Sequence, residues 1–153
     1  MAGMRLQDRE TRRPTLGSRL VWLVEDNPED AKLIVQVLQE TSPTARVVHL
    51  DDCEDALRCL QSASERTPCL ILLAVNAPTG KAFRFLERIK ADERLKTIPI
   101  VALAQSRNER EVSAGYALGL AGYLIKSQDR AQLCEEMAVV RAYWTTSLIP
   151  RTP

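Results

Sequence analysis

The sequence predicts an α/β protein: a doubly wound, five-stranded parallel sheet in the flavodoxin-like order 2-1-3-4-5, with helices on both faces. Three observations predict it. Short apolar runs alternate five times with stretches whose apolar residues recur at helical spacing. The central runs, such as Leu70-Ile71-Leu72-Leu73, are continuously apolar, so both faces of their sheet need cover. Proline, glycine and asparagine punctuate the joins between the two kinds of segment.

The elements follow in order. Residues 1–18 mix charge with Pro14 and Gly17 and show no sustained apolar period, the pattern of a mobile arm. Leu20 to Val24 reads as a buried strand. Asn27-Pro28 then starts a helix, with Asn as N-cap, Pro at the first helical position and Glu29 and Asp30 in the first turn. Ala31, Ile34, Val35 and Leu38 form its apolar face. Ser42-Pro43 breaks it, and Ala45 to Leu50 supplies the second strand.

Asp51 and Glu54 resemble a capping pair for the second helix, whose buried side is Ala56, Leu57 and Leu60. Pro68 introduces the third strand, Leu70 to Ala74. A helix from about Ala82 to Ala91 buries Ala82, Phe85, Leu86 and Ile89. Pro99 precedes the fourth strand, Ile100 to Leu103. Ser106 to Glu109 matches a capping box for a helix facing inward through Val112 and Tyr116, and Gly119 ends it. Tyr123 to Ile125 is the fifth strand, and Leu133, Met137, Val140 and Trp144 stripe the last helix. One domain over 19–145 results, followed by a tail over 146–153.

Composition excludes several function classes. A 45% apolar and 27% charged chain of 153 residues with net charge +1 gives no global electrostatic case for nucleic acid or a membrane surface. Its longest apolar run, Cys69 to Val75, is too short to span a bilayer, and the arginine-rich residues 1–17 lack the apolar centre of a secretory signal. The expected location is cytoplasmic. Cys53, Cys59, Cys69 and Cys134 form no CxxC pair, and His49 is the only histidine, so neither zinc nor a disulfide framework is expected. A Gly-rich phosphate loop, a Cys/His dyad and a G-x-S-x-G elbow are all missing, which speaks against an enzyme.

In a sheet of this order, the residues just past the strands gather on one edge. That edge brings together Glu25, Asp26, Ala74, Ala104 and Lys126. The acidic pair, the segment Ile71-Leu72-Leu73-Ala74-Val75-Asn76-Ala77-Pro78 and the segment Tyr123-Leu124-Ile125-Lys126 together resemble the response-regulator receiver family, over about Arg19 to the last helix. Tyr123 to Ser127, with Tyr143-Trp144 and Leu148-Ile149-Pro150, is similar to single-domain regulators paired with phytochrome-type histidine kinases.

The resemblance implies a site. In working receivers an Asp at position 74 takes a phosphoryl group from a kinase histidine, with Mg²⁺ held by the acids. A hydroxyl at 104, the aromatic at 123 and the lysine at 126 read it out. This chain keeps Glu25, Asp26, Tyr123 and Lys126, and Asn76, whose backbone carbonyl is the family's further metal ligand. Ala74 and Ala104 lack the nucleophile and the hydroxyl. Lys81-Ala82 stands where the family has Asp-Gly, and Ser127 where many receivers have Pro.

The expected function is that of a phosphorylation-deficient pseudo-receiver working by protein contact, with no required cofactor and at most weak Mg²⁺ binding at Glu25, Asp26 and Asn76. The expected partners are a histidine kinase, as in a bacteriophytochrome system, and a second copy of the chain. That second copy would meet the helix 4, strand 5 and helix 5 surface, where Leu118, Leu120, Tyr123, Tyr143 and Trp144 supply apolar area. The alternative is a phosphorylatable regulator whose Asp at 74 has been replaced by Ala. Lys126 is expected to pair with Glu25 or Asp26. Tyr123 is either a surface aromatic at a partner interface or a wall residue.

Overall fold

A computed structural model describes residues 20–41, 46–62, 67–76 and 80–146. The elements run β1 (Leu20–Val24), α1 (Pro28–Thr41), β2 (Arg46–Leu50), α2 (Cys53–Gln61), β3 (Leu70–Val75), α3 (Gly80–Ala91), β4 (Ile100–Ala104), α4 (Glu109–Ala117), β5 (Gly122–Ile125) and α5 (Arg130–Thr146). All strands are parallel, and the order is β2-β1-β3-β4-β5, as the sequence predicts. The arm over 1–18 lies outside the described residues, as does the tail, apart from Thr146, which ends α5.

Strand side chains alternate between two cores, which is why the central strands are apolar throughout. Trp22, Val24, Ile71, Leu73, Ile100 and Ala102 pack under α2 and α3. Val21, Leu23, Leu70, Leu72, Val101 and Leu103 pack under α1 and α5 through Ile34, Val37, Leu133 and Met137. Edge strands β2 and β5 are only partly covered.

Helix starts differ from expectation at three places, two of them in the capping residue. Asp52, rather than Asp51, caps α2: its backbone is extended and its side chain accepts from the Glu54 amide at 3.1 Å. Asn108, rather than Ser106, caps α4, accepting from the Arg110 and Glu111 amides at 3.1 and 3.2 Å. In both, the cap is the last extended residue before the helix, and a short side chain there reaches the second amide. Glu109 is consequently the first helical residue and pairs with Arg107 at 2.6 Å. α3 begins at Gly80, two residues early.

The inward face of α4 also differs. Gly115 is its buried residue, while Val112 is half-buried and Tyr116 is exposed. A Cβ on Gly115 would come within 2.5 Å of Leu120 Cδ1, so the helix approaches the core through its smallest residue. Gly119 follows with φ +107°, turning the chain from α4 into β5 as its position after the helix predicts. On α1, Val37 is fully buried and Val35 only partly so.

Candidate functional site

Strand register brings the candidate residues together. Val24 pairs with Leu73 and Leu50, Ala74 with Leu103, and Ala104 with Ile125, so the next residue of each strand reaches the same edge. Glu25 continues β1 by donating its amide to Leu50 at 3.0 Å, and Lys126 continues β5 by donating its amide to Ala104 at 2.6 Å. Asn27 then caps α1, its side chain accepting from the Glu29 and Asp30 amides at 3.0 and 3.1 Å. That cap fixes Asp30 on the first turn, facing the sheet edge.

Lys126 lies at the centre. Its Nζ is 2.6 Å from Glu25 Oε1 and 2.9 Å from Asp30 Oδ2, and both the Lys126 and Glu25 side chains are enclosed. Burial works against the ammonium charge, but the hydrogen bonds to Asp30 and Glu25 outweigh it and hold the Lys126 pKa above its ordinary value. Of the two partners expected, Lys126 takes Glu25. Asp30 is the partner the sequence reading missed. Its only signal was its place in a first turn beside the same edge, which a favourable helix-dipole charge explains equally well.

Asp26 is exposed and bonds to Asn76 instead. Asn76 Nδ2 donates at 2.7 Å to Asp26 Oδ1 and at 2.7 Å to Glu25 Oε2, and Lys126 Nζ lies 3.4 Å from Asn76 Oδ1. The Asn76 hydrogen bond holds the Asp26 carboxyl below the ordinary carboxylate range, against the opposing effect of partial burial. A lowered folded-state pKa stabilises the fold above the unfolded value and loses that contribution as pH falls through the folded one. Asn76→Ala is therefore expected to raise the Asp26 pKa and to shift acid unfolding toward higher pH. Carboxyl NMR titration of Asp26 in both proteins checks this, and an unmoved Asp26 pKa would refute it.

Ala74 and Ala104 place methyl groups on this edge, both nearly enclosed. Ala74 borders a small cleft with Asp26, Asp51, Asp52, Cys53 and Lys81. Burial, with the carboxylates of Asp52 and Asp26, pushes the Cys53 thiol up to about 11, so it is no nucleophile at neutral pH. Tyr123 packs on the α2/α3-side core, its ring beside Gly115, with a hydroxyl that is enclosed and without a hydrogen-bond partner among the described residues. Its surroundings are those of a wall residue, and burial followed by the Glu111 charge raises the phenol pKa. His49 is exposed on β2, its Nε2 2.8 Å from the Glu25 carbonyl oxygen.

Residues 21–138 match the model of the response regulator receiver domain. The chain belongs to the response regulator receiver family. Among characterised receivers it is 33% identical over 130 residues to response regulator Rcp1 of Synechocystis sp. (strain ATCC 27184 / PCC 6803 / Kazusa), covering 82% of this chain and 88% of that protein. The crystal structure of the phosphorylated cyanobacterial phytochrome response regulator RcpA superposes with a TM-score of 0.79 at 33% identity, over 87% of this receiver and 99% of that chain. The Mn(2+)-bound form of Rcp1 gives a TM-score of 0.77 at 32% identity, over 87% and 99%.

Receivers bind Mg²⁺ or Mn²⁺ at their acidic edge, which requires an all-oxygen ligand set. In this receiver, as it stands, the residues do not fit such an ion. Both Glu25 oxygens and one Asp26 oxygen already accept from nitrogen donors, and position 74 adds no carboxylate. No group of three or more His, Cys, Asp or Glu side chains among the described residues is arranged to hold a metal. No helix among them is long and apolar enough to cross a membrane.

Proposed function

We propose that this receiver is a phosphorylation-deficient response regulator, a pseudo-receiver that signals by protein contact and not as an enzyme, in a two-component system linked to a phytochrome-type histidine kinase. The observation that carries the reading is Ala74. The family's position for the accepting Asp holds a methyl group at the end of β3, on the edge where Glu25, Asp26 and Lys126 converge. Forming an acyl phosphate needs a carboxylate oxygen to attack phosphorus while the donor's oxygen or nitrogen leaves. A methyl has no such electron pair. Ala104 likewise has no hydroxyl to bond a phosphoryl oxygen, and Lys126 serves as a structural counter-ion.

The kinase link rests on the names of the relatives: RcpA is a phytochrome response regulator, and both RcpA and Rcp1 are matched over most of their length. A reducing, cytoplasmic setting suits four cysteines that form no disulfide with one another. For self-association the reading favours the α4, β5 and α5 surface with the C-terminal segment. Tyr116, Ile125, Val139 and Tyr143 are exposed there, and Tyr143 meets Trp144 edge-to-face with ring centroids 4.9 Å apart. Leu120, expected on that surface, is buried and Tyr123 half-buried, so the area comes from other residues. Residues 148–150 of that segment lie outside the described residues. Neither nucleic acid nor a membrane enters the proposal.

Intact-mass analysis after incubation with acetyl phosphate and Mg²⁺ tests the reading. The unaltered chain is expected to show no adduct, whereas one phosphoryl group adds about 80 Da. An adduct on the unaltered chain would overturn it by revealing another acceptor. Ala74→Asp distinguishes a pocket disabled at one position from one disabled at several.

A further inference from the structure

On the face of the sheet opposite α1 and α5, a groove of about 220 Å³ opens between α2 and α3. Cys53, Leu57 and Phe85 supply its apolar part. Phe85 is enclosed, while Cys53 and Leu57 are half-buried, so part of that area faces solvent. Lys81, Arg84 and Arg88 border the groove along α3, and all three are exposed. Lys81, Phe85 and Arg88 stand at i, i+4 and i+7 on one face of the helix, with Arg84 beside them. Among the described residues, none of these three cations takes an ion pair or a side-chain hydrogen bond, whereas Arg58, Lys96, Arg107, Lys126 and Arg130 each hold a carboxylate. Glu54 and Glu87 also border the groove, but neither pairs with the cations, and Glu87 lies about 100° round the helix from Arg88.

We propose that this groove docks an acidic amphipathic helix of a partner protein, which seats one large apolar side chain against Leu57 and Phe85 and sets its carboxylates against Lys81, Arg84 and Arg88. Size, spacing and charge select that occupant. The volume is below the roughly 300–1,000 Å³ of small-molecule sites and suits a single Leu or Phe anchor. The cations span two turns, about 10 Å, so acids one and two turns apart on a helix lying along α3 meet them in step. The chain's own outlying segments carry the wrong charge. Residues 1–18 hold Arg5, Arg9, Arg12 and Arg13 against Asp8 and Glu10, and residues 147–153 hold Arg151 and no acid. The groove is separate from the α4, β5 and α5 surface, and its occupancy does not depend on the reading of Ala74.

The probe is a labelled helical peptide of about 16 residues with one central Leu and a Glu one turn to either side. It is titrated into the full chain and followed by fluorescence anisotropy, with no phosphodonor present. Saturable binding with a Kd below about 1 mM is expected, with amide NMR shifts confined to α2 and α3. Arg84→Gln and Arg88→Gln, both at exposed positions, should each weaken it about 2- to 5-fold. Added salt should weaken it further, and replacing the peptide's Leu by Ala should cost about 10-fold. The proposal fails if binding does not saturate, if the shifts map elsewhere, or if a peptide with Gln in place of Glu binds equally well. It fails equally if decanoate fills the groove and the peptide does not, since the site would then belong to a small anionic ligand. Sedimentation showing that Arg84→Gln and Arg88→Gln abolish self-association would assign the groove to a second copy and overturn it too. Emission from the buried Trp22 verifies that each variant is folded.

Discussion

Replacing Lys126 with Met is expected to cost about 3–5 kcal/mol of folding stability, the range for breaking a buried pair on one side. The ammonium is enclosed with Glu25 at 2.6 Å and also holds Asp30 at 2.9 Å. Without it, Glu25 keeps the Asn76 amide and the Asn27 N–H at 3.3 Å but no counter-charge, in a place water does not reach. A loss of that size is at least about a fifth of the stability of an ordinary domain, roughly 5–15 kcal/mol. Urea unfolding read by fluorescence checks it, and a loss below about 1 kcal/mol, the scale of an exposed pair, would show that solvent screens Glu25. Adding Glu25→Gln to Lys126→Met should restore part of the loss, because the neutral amide no longer needs a cation. The pH dependence has a definite sign. A raised lysine pKa contributes stability that is complete below the unfolded-state value and fades as pH rises through the folded one. The unaltered chain should therefore lose stability in the alkaline range, and Lys126→Met should show less of that loss.

Leu72→Ala should be comparably severe, at about 2–5 kcal/mol. β3 is the middle strand, with β1 and β4 on either side, and Leu72 is wholly buried among residues packed under α1 and α5. Neighbours on a rigid sheet cannot move in to fill the space, so the lost burial and the remaining cavity both count. Val48→Ala provides the contrast. Val48 lies on the edge strand β2 and is 37% exposed, so its truncation should change stability by about 0.5 kcal/mol or less. Equal effects at the two positions would contradict the division into a covered centre and open edges.

The chain's periodicity made the layers legible. Continuous apolar runs at Leu20–Val24 and Leu70–Val75 required cover on both sides, and only parallel strands joined by helices supply it. Glu25, Asp26, Ala74, Ala104 and Lys126 could be placed on one edge because each follows or ends a strand. The cap of α1 was legible outright at Asn27, whereas those of α2 and α4 were legible in kind but not in register. Asp51 and Asp52 are chemically equivalent, and the backbone angle alone selects between them. The exposure of Tyr116 and the burial of Gly115 were not legible, because a helix that approaches the core through glycine carries no apolar stripe.

The sequence by itself determined the fold class, the strand order and the absence of an acceptor at position 74. Those follow from apolar period and from which atoms a side chain contains. Only the tertiary structure decided the pairing within the pocket: Lys126 with Glu25 and Asp30, and Asn76 across Glu25 and Asp26. The reason is physical. Three carboxylates, one ammonium and one amide admit several pairings of similar charge balance. Which one forms depends on distances of about 3 Å, set by strands and a helix cap that are remote from one another in the chain.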